Sequence, residues 1–246
     1  MRTSILTSKL SGINGGWLLC LNRCDRANAY NETMLIELDQ FLTNVIADKS
    51  VRCIVISGSG DRAFCAGADR DELAGRRAKD GLDLLSRSVF DKLATLPAAT
   101  IARINGAAIG GGLELALACD VRVSAPDAVF ALPELALGIA PGAGALRRLP
   151  SAVGLARAME MVLFGVKIDA PTAAAWGMVS YQGSDYEDVV KAYADYVCSC
   201  DPLAVRLTKT VLATTNGTAQ MQLEATAQAL LYELRYEKSA LSERAV

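Results

Sequence analysis

The chain has 246 residues, 52% of them hydrophobic and 21% charged, which is typical of one soluble globular domain with a substantial core. Its formal net charge of −2 excludes a general electrostatic attraction to nucleic acid or to anionic membranes. It contains no histidine, so a Ser-His-Asp or Cys-His catalytic group and a histidine-based metal site are excluded. The acid and base candidates are therefore carboxylates, tyrosines, lysines and cysteines.

Cysteine usage indicates a reducing compartment. The seven cysteines follow no disulfide-framework spacing, which favours structural, reduced thiols. Cys198 and Cys200 have no histidine to complete a zinc site, and we expect no metal. Residues 1–12 carry no export signal, and no apolar run has the length of a membrane span. We therefore expect a cytoplasmic protein with no membrane contact.

The predicted elements alternate between strands and helices. Asn31 is placed to cap a helix whose apolar residues recur at helical spacing up to Val45. An amphipathic helix covers residues 82–96 and ends at Pro97. The predicted strands are residues 18–21, 51–57, 100–104, 120–124 and 129–131. This alternation predicts an α/β fold.

The last quarter of the chain is different, because its strand signals stop near Asp185. The predicted helices there are residues 186–200, 202–214 and 218–236. Leu223, Leu230 and Leu234 share one face of the last helix, and such an apolar stripe must be buried against something. We predict a core at residues 1–184 and a helical oligomerisation region at residues 185–246.

A glycine-rich segment gives the strongest functional signal. Residues 104–114 read INGAAIGGGLE, so three consecutive glycines are followed closely by Glu114. Glycines allow a tight turn and a close approach of the main chain to a ligand. The apolar run at residues 113–119 predicts a helix whose first amides lack partners. Such amides can bind a developing oxyanion.

Two further segments accompany the glycine triplet. Residues 63–73 read AFCAGADRDEL and follow a predicted strand, so they can deliver a second set of backbone amides. Residues 128–144 read AVFALPELALGIAPGAG, in which Glu134 follows a proline among apolar neighbours. A carboxylate in such surroundings is not typical of a protein surface.

These segments, together with the later AAAWGMV, resemble the crotonase, or enoyl-CoA hydratase/isomerase, family. The resemblance covers about residues 21–179, and the motifs occur in the family's order and at its spacing. It implies an α/β spiral of ββα turns, followed by helices that pack trimers, often paired into hexamers. We expect a homotrimer or a dimer of trimers.

The resemblance also implies roles for individual residues. The backbone amides of Ala68 and Gly111 would bind the thioester oxygen, and Glu114 and Glu134 would be the acid–base pair of an enoyl-CoA hydratase. Because relatives with other activities commonly replace one or both acids, we expect reversible syn addition of water to a trans-2-enoyl-CoA, as in fatty acid metabolism. The alternative is a dehydratase or double-bond isomerase acting on a specialised acyl thioester, such as one on a carrier protein.

Coenzyme A is expected as part of the substrate, with no separate cofactor. The residues matched to its binding are Arg26, Ala27, Ala29, Ala66, Ala68, Asp69, Arg70 and Gly111. The family's usual NRPKALNAL reads NRCDRANAY here, and Asp71 stands where mitochondrial hydratases carry a lysine. Positive charge must then come from Arg26, Arg70, Arg76 or Arg77, or the affinity for CoA is weaker.

Other departures concern the cavity walls and the C-terminus. The family's PGAGGTQRL reads PGAGALRRL, in which Leu146 replaces threonine and should alter the helix beginning near Gly144 without touching either acid. The final YEKSALSERAV is short relative to the family. Acyl specificity depends on the walls of the substrate cavity, which residues 70–86 and 137–146 are expected to form. The sequence does not determine the shapes of these two segments. The basic clusters at residues 76–79 and 147–148 are too small to predict an RNA-binding role.

Overall fold

A computed structural model describes residues 3–214 and 217–244. Its strands are β1 Ile5–Lys9, β2 Gly16–Leu21, β3 Cys53–Gly58, β4 Ala63–Cys65, β5 Ala99–Ile104, β6 Ala107–Ile109, β7 Val121–Ser124, β8 Val129–Ala131, β9 Ile168–Asp169 and β10 Tyr181–Gln182. Its helices are α1 Glu32–Ala47, α2 Arg70–Leu73, α3 Ala78–Leu82, α4 Leu85–Ala94, α5 Gly111–Leu117, α6 Ala145–Val153, α7 Leu155–Leu163, α8 Ala170–Ala175, α9 Tyr186–Ser199, α10 Pro202–Ala213 and α11 Gly217–Arg244. Short 3-10 helices cover Cys24–Arg26 and Glu134–Leu137.

The strands form two sheets that the chain visits in turn. The first has six strands in the order β1-β2-β3-β5-β7-β10, and the second has four in the order β4-β6-β8-β9. Pairing is parallel except between β1 and β2 and between β8 and β9. The chain crosses from the first sheet to the second at β3–β4, β5–β6 and β7–β8, and helices return it each time. This repetition is the ββα spiral expected from the sequence.

The core lies between the sheets and the helices that cover them. Phe64, Phe90 and Phe130 are fully buried in it. Every residue of β3 is buried, as expected of a parallel strand covered on both faces. The predicted cap of α1 is confirmed, because Asn31 Oδ1 accepts a hydrogen bond of 3.0 Å from the Met34 amide.

Several elements are absent from the sequence-based prediction. The strands β4 and β6 have three residues each and were not predicted, whereas the equally short β8 was predicted at residues 129–131. The helices α7 and α8 were also not predicted, whereas α6 begins directly after Gly144, as the sequence indicated. The last helix, predicted at residues 218–236, extends over Gly217–Arg244. The strands predicted at residues 18–21, 51–57 and 120–124 are present, with ends shifted by one or two residues.

The C-terminal helices are not all placed alike. Helix α9 packs Val190 and Ala194 into a cluster with the first sheet. In α10 and α11, by contrast, Leu212 is 75% exposed and Met221 is 71% exposed. The division of the chain at residue 184 stays a prediction. No helix among residues 3–214 and 217–244 combines the length and apolarity needed to cross a membrane.

Candidate active site

A cavity of about 630 Å³ opens beside the ends of β4 and β6. Both acids predicted from the sequence, Glu114 and Glu134, line it together with Ala68. The two wall segments expected from the sequence, residues 70–86 and 137–146, both contribute side chains. The structure therefore brings the three sequence motifs to one place.

The loop after β4 presents the Ala68 amide. The Tyr30 amide donates to Gly67 O at 2.8 Å, and the Asp69 amide donates to Tyr30 O at 2.8 Å. This parallel bridge holds the loop on both sides of Ala68. The Ala68 amide itself has no acceptor in the described part of the chain. It is thus a fixed donor without a protein partner.

The glycine triplet packs directly against this loop. A Cβ atom added to Gly67 would lie 3.1 Å from the Gly111 nitrogen, and one added to Gly112 would lie 2.0 Å from Cys65 O. Only glycine permits two backbones to approach so closely. Gly111 is the first residue of α5, and its amide also has no acceptor among the described residues. The Ala68 and Gly111 amides are therefore held next to each other by backbone packing.

Glu114 is held in a fixed orientation on α5. It is 3% exposed, and its Oε1 accepts hydrogen bonds from the amides of Ala143 at 2.8 Å and Ala145 at 3.0 Å. Burial raises the pKa of Glu114, while these two amides and the positive charge of Arg148 oppose the rise. These hydrogen bonds stabilise the ionised form of Glu114 and fix the orientation of its carboxylate through Oε1.

Glu134 is in a different environment from Glu114. It begins the 3-10 helix after Pro133, and its Oε2 is buried with no hydrogen-bond partner among the described residues. Burial, and secondarily the negative charge of Glu114, raise the pKa of Glu134 to about 7, against the effect of its own backbone amide. Two carboxyl groups with environments this different are suited to opposite proton-transfer roles.

The raised pKa of Glu134 predicts a pH-dependent effect of Glu134→Gln on stability. The pKa is about 7 in the folded protein against an ordinary 4.5, so the folded state holds the proton more tightly. The carboxyl therefore contributes its full stability below pH about 4.5 and loses it as pH rises to about 7. Glutamine does not titrate. We expect the variant's free energy of unfolding, relative to wild type, to rise between these pH values.

Urea denaturation at a series of pH values measures this difference. The absolute difference at any one pH includes the loss or gain of contacts by the amide, so only its change with pH tests the assignment. Glu160→Gln, at an exposed position on α7, is the matched control. A Glu134→Gln difference that stayed constant from pH 4 to pH 8 would contradict the raised pKa.

The residues matched to CoA binding lie beside the cavity. The Ala66 amide donates to Ala27 O at 3.0 Å, so the segments at residues 26–29 and 66–70 are adjacent. Arg26 forms an exposed ion pair of 3.6 Å with Asp71, the residue that stands in place of the family lysine. The charge of Arg26 is therefore balanced by Asp71 on the side expected to face CoA.

Asp69 is engaged within the protein. Its carboxylate pairs with Arg23 at 2.8 Å and accepts the Asp71 amide at 3.0 Å. The hydrogen bond from Arg23, although partly opposed by desolvation, lowers the pKa of Asp69. Asp69 thus fixes the start of α2. The roles of Ala29, Arg70 and the other matched residues toward CoA stay predictions.

Sequence analysis missed several contributors to the site. The Leu146 side chain is 52% exposed, and its expected effect on the helix stays a prediction, but the same PGAGALRRL segment supplies the Ala143 and Ala145 amides that bind Glu114. The sequence did not identify Tyr30 either, because Tyr30 is far from the glycine triplet in the chain and only folding brings its hydroxyl beside Gly111. The glycine and alanine composition of residues 141–145 was the one available signal, since small residues allow a main chain to approach a carboxylate.

Comparison with known proteins settles the family. The chain matches the model of the enoyl-CoA hydratase/isomerase family over residues 14–241. It belongs to this family. The crystal structure of the enoyl-CoA hydratase from Bacillus anthracis superposes with a TM-score of 0.87 at 32% identity, covering 96% of each chain. The crotonase resemblance and the α/β spiral are thereby confirmed.

Curated relatives within the enoyl-CoA hydratase/isomerase family carry related names. The chain is 35% identical to the crotonyl-CoA hydratase of Syntrophomonas wolfei over 233 residues, which cover 92% of this chain and 89% of that protein. It is 34% identical to the short-chain-enoyl-CoA hydratase of Clostridium acetobutylicum over 196 residues, covering 78% of this chain and 75% of that protein. The first of these matches covers nearly the whole chain and the second about four fifths of it.

Proposed function

We propose that this protein is an enoyl-CoA hydratase, which adds water reversibly and with syn geometry to a trans-2-enoyl-CoA. The observation that carries the proposal is the presence of two buried acids, Glu114 and Glu134, in the cavity that also receives unpartnered backbone amides. Hydration needs a base for the water and an acid for carbon, besides charge stabilisation at the thioester. All three are available in one cavity.

The Ala68 and Gly111 amides bind the thioester oxygen in this proposal. Attack of water at C3 pushes electron density through the double bond onto that oxygen, which becomes an enolate. Preorganised amide donors stabilise such charge strongly, and one donor typically contributes about 3 kcal/mol. The fixed positions of both amides, set by the packing of Gly67 and Gly112, support this role.

The two acids divide the proton transfers. Glu114, whose ionised form two amides stabilise, accepts a proton from water as the water oxygen bonds to C3. Glu134, with its pKa raised to about 7, donates a proton to C2 as the enolate collapses. The product is the 3-hydroxyacyl thioester, and the same groups exchange roles in the dehydration. Delivery of both groups from one cavity wall gives syn addition.

The direct test is turnover of crotonyl-CoA and of longer trans-2-enoyl-CoA substrates by the purified protein. We expect loss of the conjugated enoyl thioester absorbance and formation of 3-hydroxyacyl-CoA. The names of the relatives from Syntrophomonas wolfei and Clostridium acetobutylicum favour short chains as the first to test. Failure to hydrate any chain length would reject the hydratase assignment.

A second candidate is a dehydratase or double-bond isomerase acting on an acyl group carried by a protein. The observation that favours it is the Arg26–Asp71 ion pair, which removes positive charge from the expected CoA side. The test compares kcat/KM for one acyl group on CoA, on pantetheine and on a carrier protein. A large preference for CoA over pantetheine would reject the carrier-protein version.

Assembly and location complete the proposal. Exposed apolar side chains on α10 and α11, such as Leu212 and Met221, support a trimer or a dimer of trimers. Light scattering decides this: a mass near the 26.0 kDa of one chain would refute the assembly.

All seven cysteines are free thiols, which supports a cytoplasmic location.

A further inference from the structure

The cavity wall formed by residues 70–86 carries arginines that the proposed hydration does not use. Arg76 is half-buried and Arg77 is exposed, and both line the cavity between α2 and α3. The apolar residues that line the same cavity include Leu73, Leu84, Leu137, Ile139 and Pro141. Positive charge is thus present in a cavity that is otherwise suited to a hydrocarbon chain.

The two arginines are available to a ligand. Neither forms an ion pair with a carboxylate in the described ranges, residues 3–214 and 217–244. The nearby Asp80 carboxylate accepts the Arg77 backbone amide at 2.7 Å. Another arginine of the cavity, Arg87, is fully used, since it donates to the backbone carbonyls of Gly142 at 2.9 Å and Gly81 at 3.0 Å. Arg87 therefore supports the wall, whereas Arg76 and Arg77 remain free to bind an anion.

The charge of Arg76 acts near the reacting end of the cavity. A Cβ atom added to Gly111 would lie 2.1 Å from the Tyr30 hydroxyl oxygen, so Tyr30 lies next to the residue whose amide is the proposed donor. Burial and the negative charge of Glu114 raise the pKa of Tyr30, and the positive charge of Arg76 opposes the rise. Arg76 and Glu114 thus both act on one side chain. Arg26, on the expected CoA side, instead pairs with Asp71.

Ser86 supplies a further donor in the same cavity. Its side chain is 1% exposed and lines the cavity. Its hydroxyl forms no hydrogen bond of normal geometry among the described residues, and it faces the Tyr30 phenol, whose pKa a hydrogen bond from Ser86 lowers. A buried hydroxyl without a partner costs stability, which a ligand oxygen can recover.

We propose that the acyl group of the substrate ends in a carboxylate, which Arg76 and Arg77 bind while the Ser86 hydroxyl donates a hydrogen bond to the same carboxylate. The inference rests on the proposed hydration of a CoA thioester at this site. Guanidinium groups bind carboxylates through paired, charge-assisted hydrogen bonds, and the apolar surroundings strengthen them. The substrate class is therefore an enedioyl thioester rather than a simple enoyl thioester. CoA phosphates share this anionic chemistry, so the experiment separates the two sources.

The test compares pent-2-enedioyl-CoA and hex-2-enedioyl-CoA with neutral thioesters in which an isopropyl group replaces the carboxylate. We expect kcat/KM at least about tenfold higher for one carboxylated member than for its neutral match, which corresponds to about 1.4 kcal/mol. Arg76→Met should lower kcat/KM for the carboxylated thioester at least about tenfold more than for the neutral one. Arg62→Met, an exposed arginine on the loop before β4, is the matched control and should change neither.

The outcomes separate this inference from the proposed function. Hydration of the neutral thioesters without preference for the carboxylated ones would overturn the inference and leave the hydratase proposal intact. Equal weakening of both thioesters and of free CoA by Arg76→Met would assign the arginines to CoA phosphates and also overturn it. If nothing is hydrated, calorimetric titration with glutaryl-CoA and 5-methylhexanoyl-CoA still decides: tighter binding of glutaryl-CoA supports the inference, and equal binding overturns it.

Discussion

Glu114→Gln and Glu134→Gln should each lower kcat for hydration at least about a hundredfold, the usual contribution of general acid–base catalysis. Glutamine keeps the size of either side chain but neither accepts a proton from water nor donates one to C2. Glu114→Gln should fail to remove the proton from water, and Glu134→Gln should fail to deliver a proton to C2. At position 114 the side chain can still accept the Ala143 and Ala145 amides through its oxygen, so the fold of the site is kept. The loss should therefore appear in kcat more than in KM.

Steady-state kinetics with the best enoyl-CoA substrate, together with a thermal unfolding curve, measures this prediction. Glu160→Gln is the matched control, since Glu160 is an exposed glutamate on α7, and it should retain wild-type kcat. Wild-type rates in both active-site variants would remove the acids from the mechanism.

The pattern across the two variants also separates hydration from its alternative. Hydration needs one acid for the water and another for C2, so both variants should be impaired. A double-bond shift moves a proton between two carbons and can use a single carboxyl group as both base and acid. If Glu134→Gln were inactive while Glu114→Gln remained active in a double-bond shift, the isomerase reading would be supported.

The sequence predicted the parts of the site that lie within single motifs. The placement of Glu114 after three glycines and of Glu134 after a proline was sufficient to predict two buried acids, and both are buried. The sequence also identified the two segments, residues 70–86 and 137–146, that contribute side chains to the cavity walls. In each case, the signal was local: glycine where backbones approach closely, or an acid among apolar neighbours.

What the sequence did not predict depends on contacts between distant segments. The Ala143 and Ala145 amides bind Glu114 from a turn that comes much later in the chain, and the small residues of that turn indicate a close backbone approach without indicating which carboxylate is approached. The phenol of Tyr30 reaches Gly111 because the Tyr30–Ala68 bridge pairs two segments from different parts of the chain. Short strands such as β4 were missed for the same reason, since their pairing with β6 is tertiary.

Gly111→Ala should lower kcat roughly a hundredfold or more by displacing one of the two amide donors. The added Cβ would lie 2.1 Å from Tyr30 Oη and 2.8 Å from the ring atom Cζ. The Tyr30 ring is itself fixed, because it is buried and packs edge-on against Phe90 at a centroid distance of 5.6 Å. The start of α5 must therefore shift. Loss of one oxyanion donor typically costs about 3 kcal/mol of transition-state stabilisation.

The control and a compensating change make this prediction specific. Gly217→Ala, at the first residue of α11, meets open space and requires no unusual backbone angle, so it should leave kcat and thermal stability unchanged. Adding Tyr30→Phe to Gly111→Ala removes the atom nearest to the new methyl group and should recover part of the lost kcat. Wild-type kcat and stability in Gly111→Ala would show that Gly111 is not the donor, because stabilisation of the transition state requires the donor amide at one fixed position.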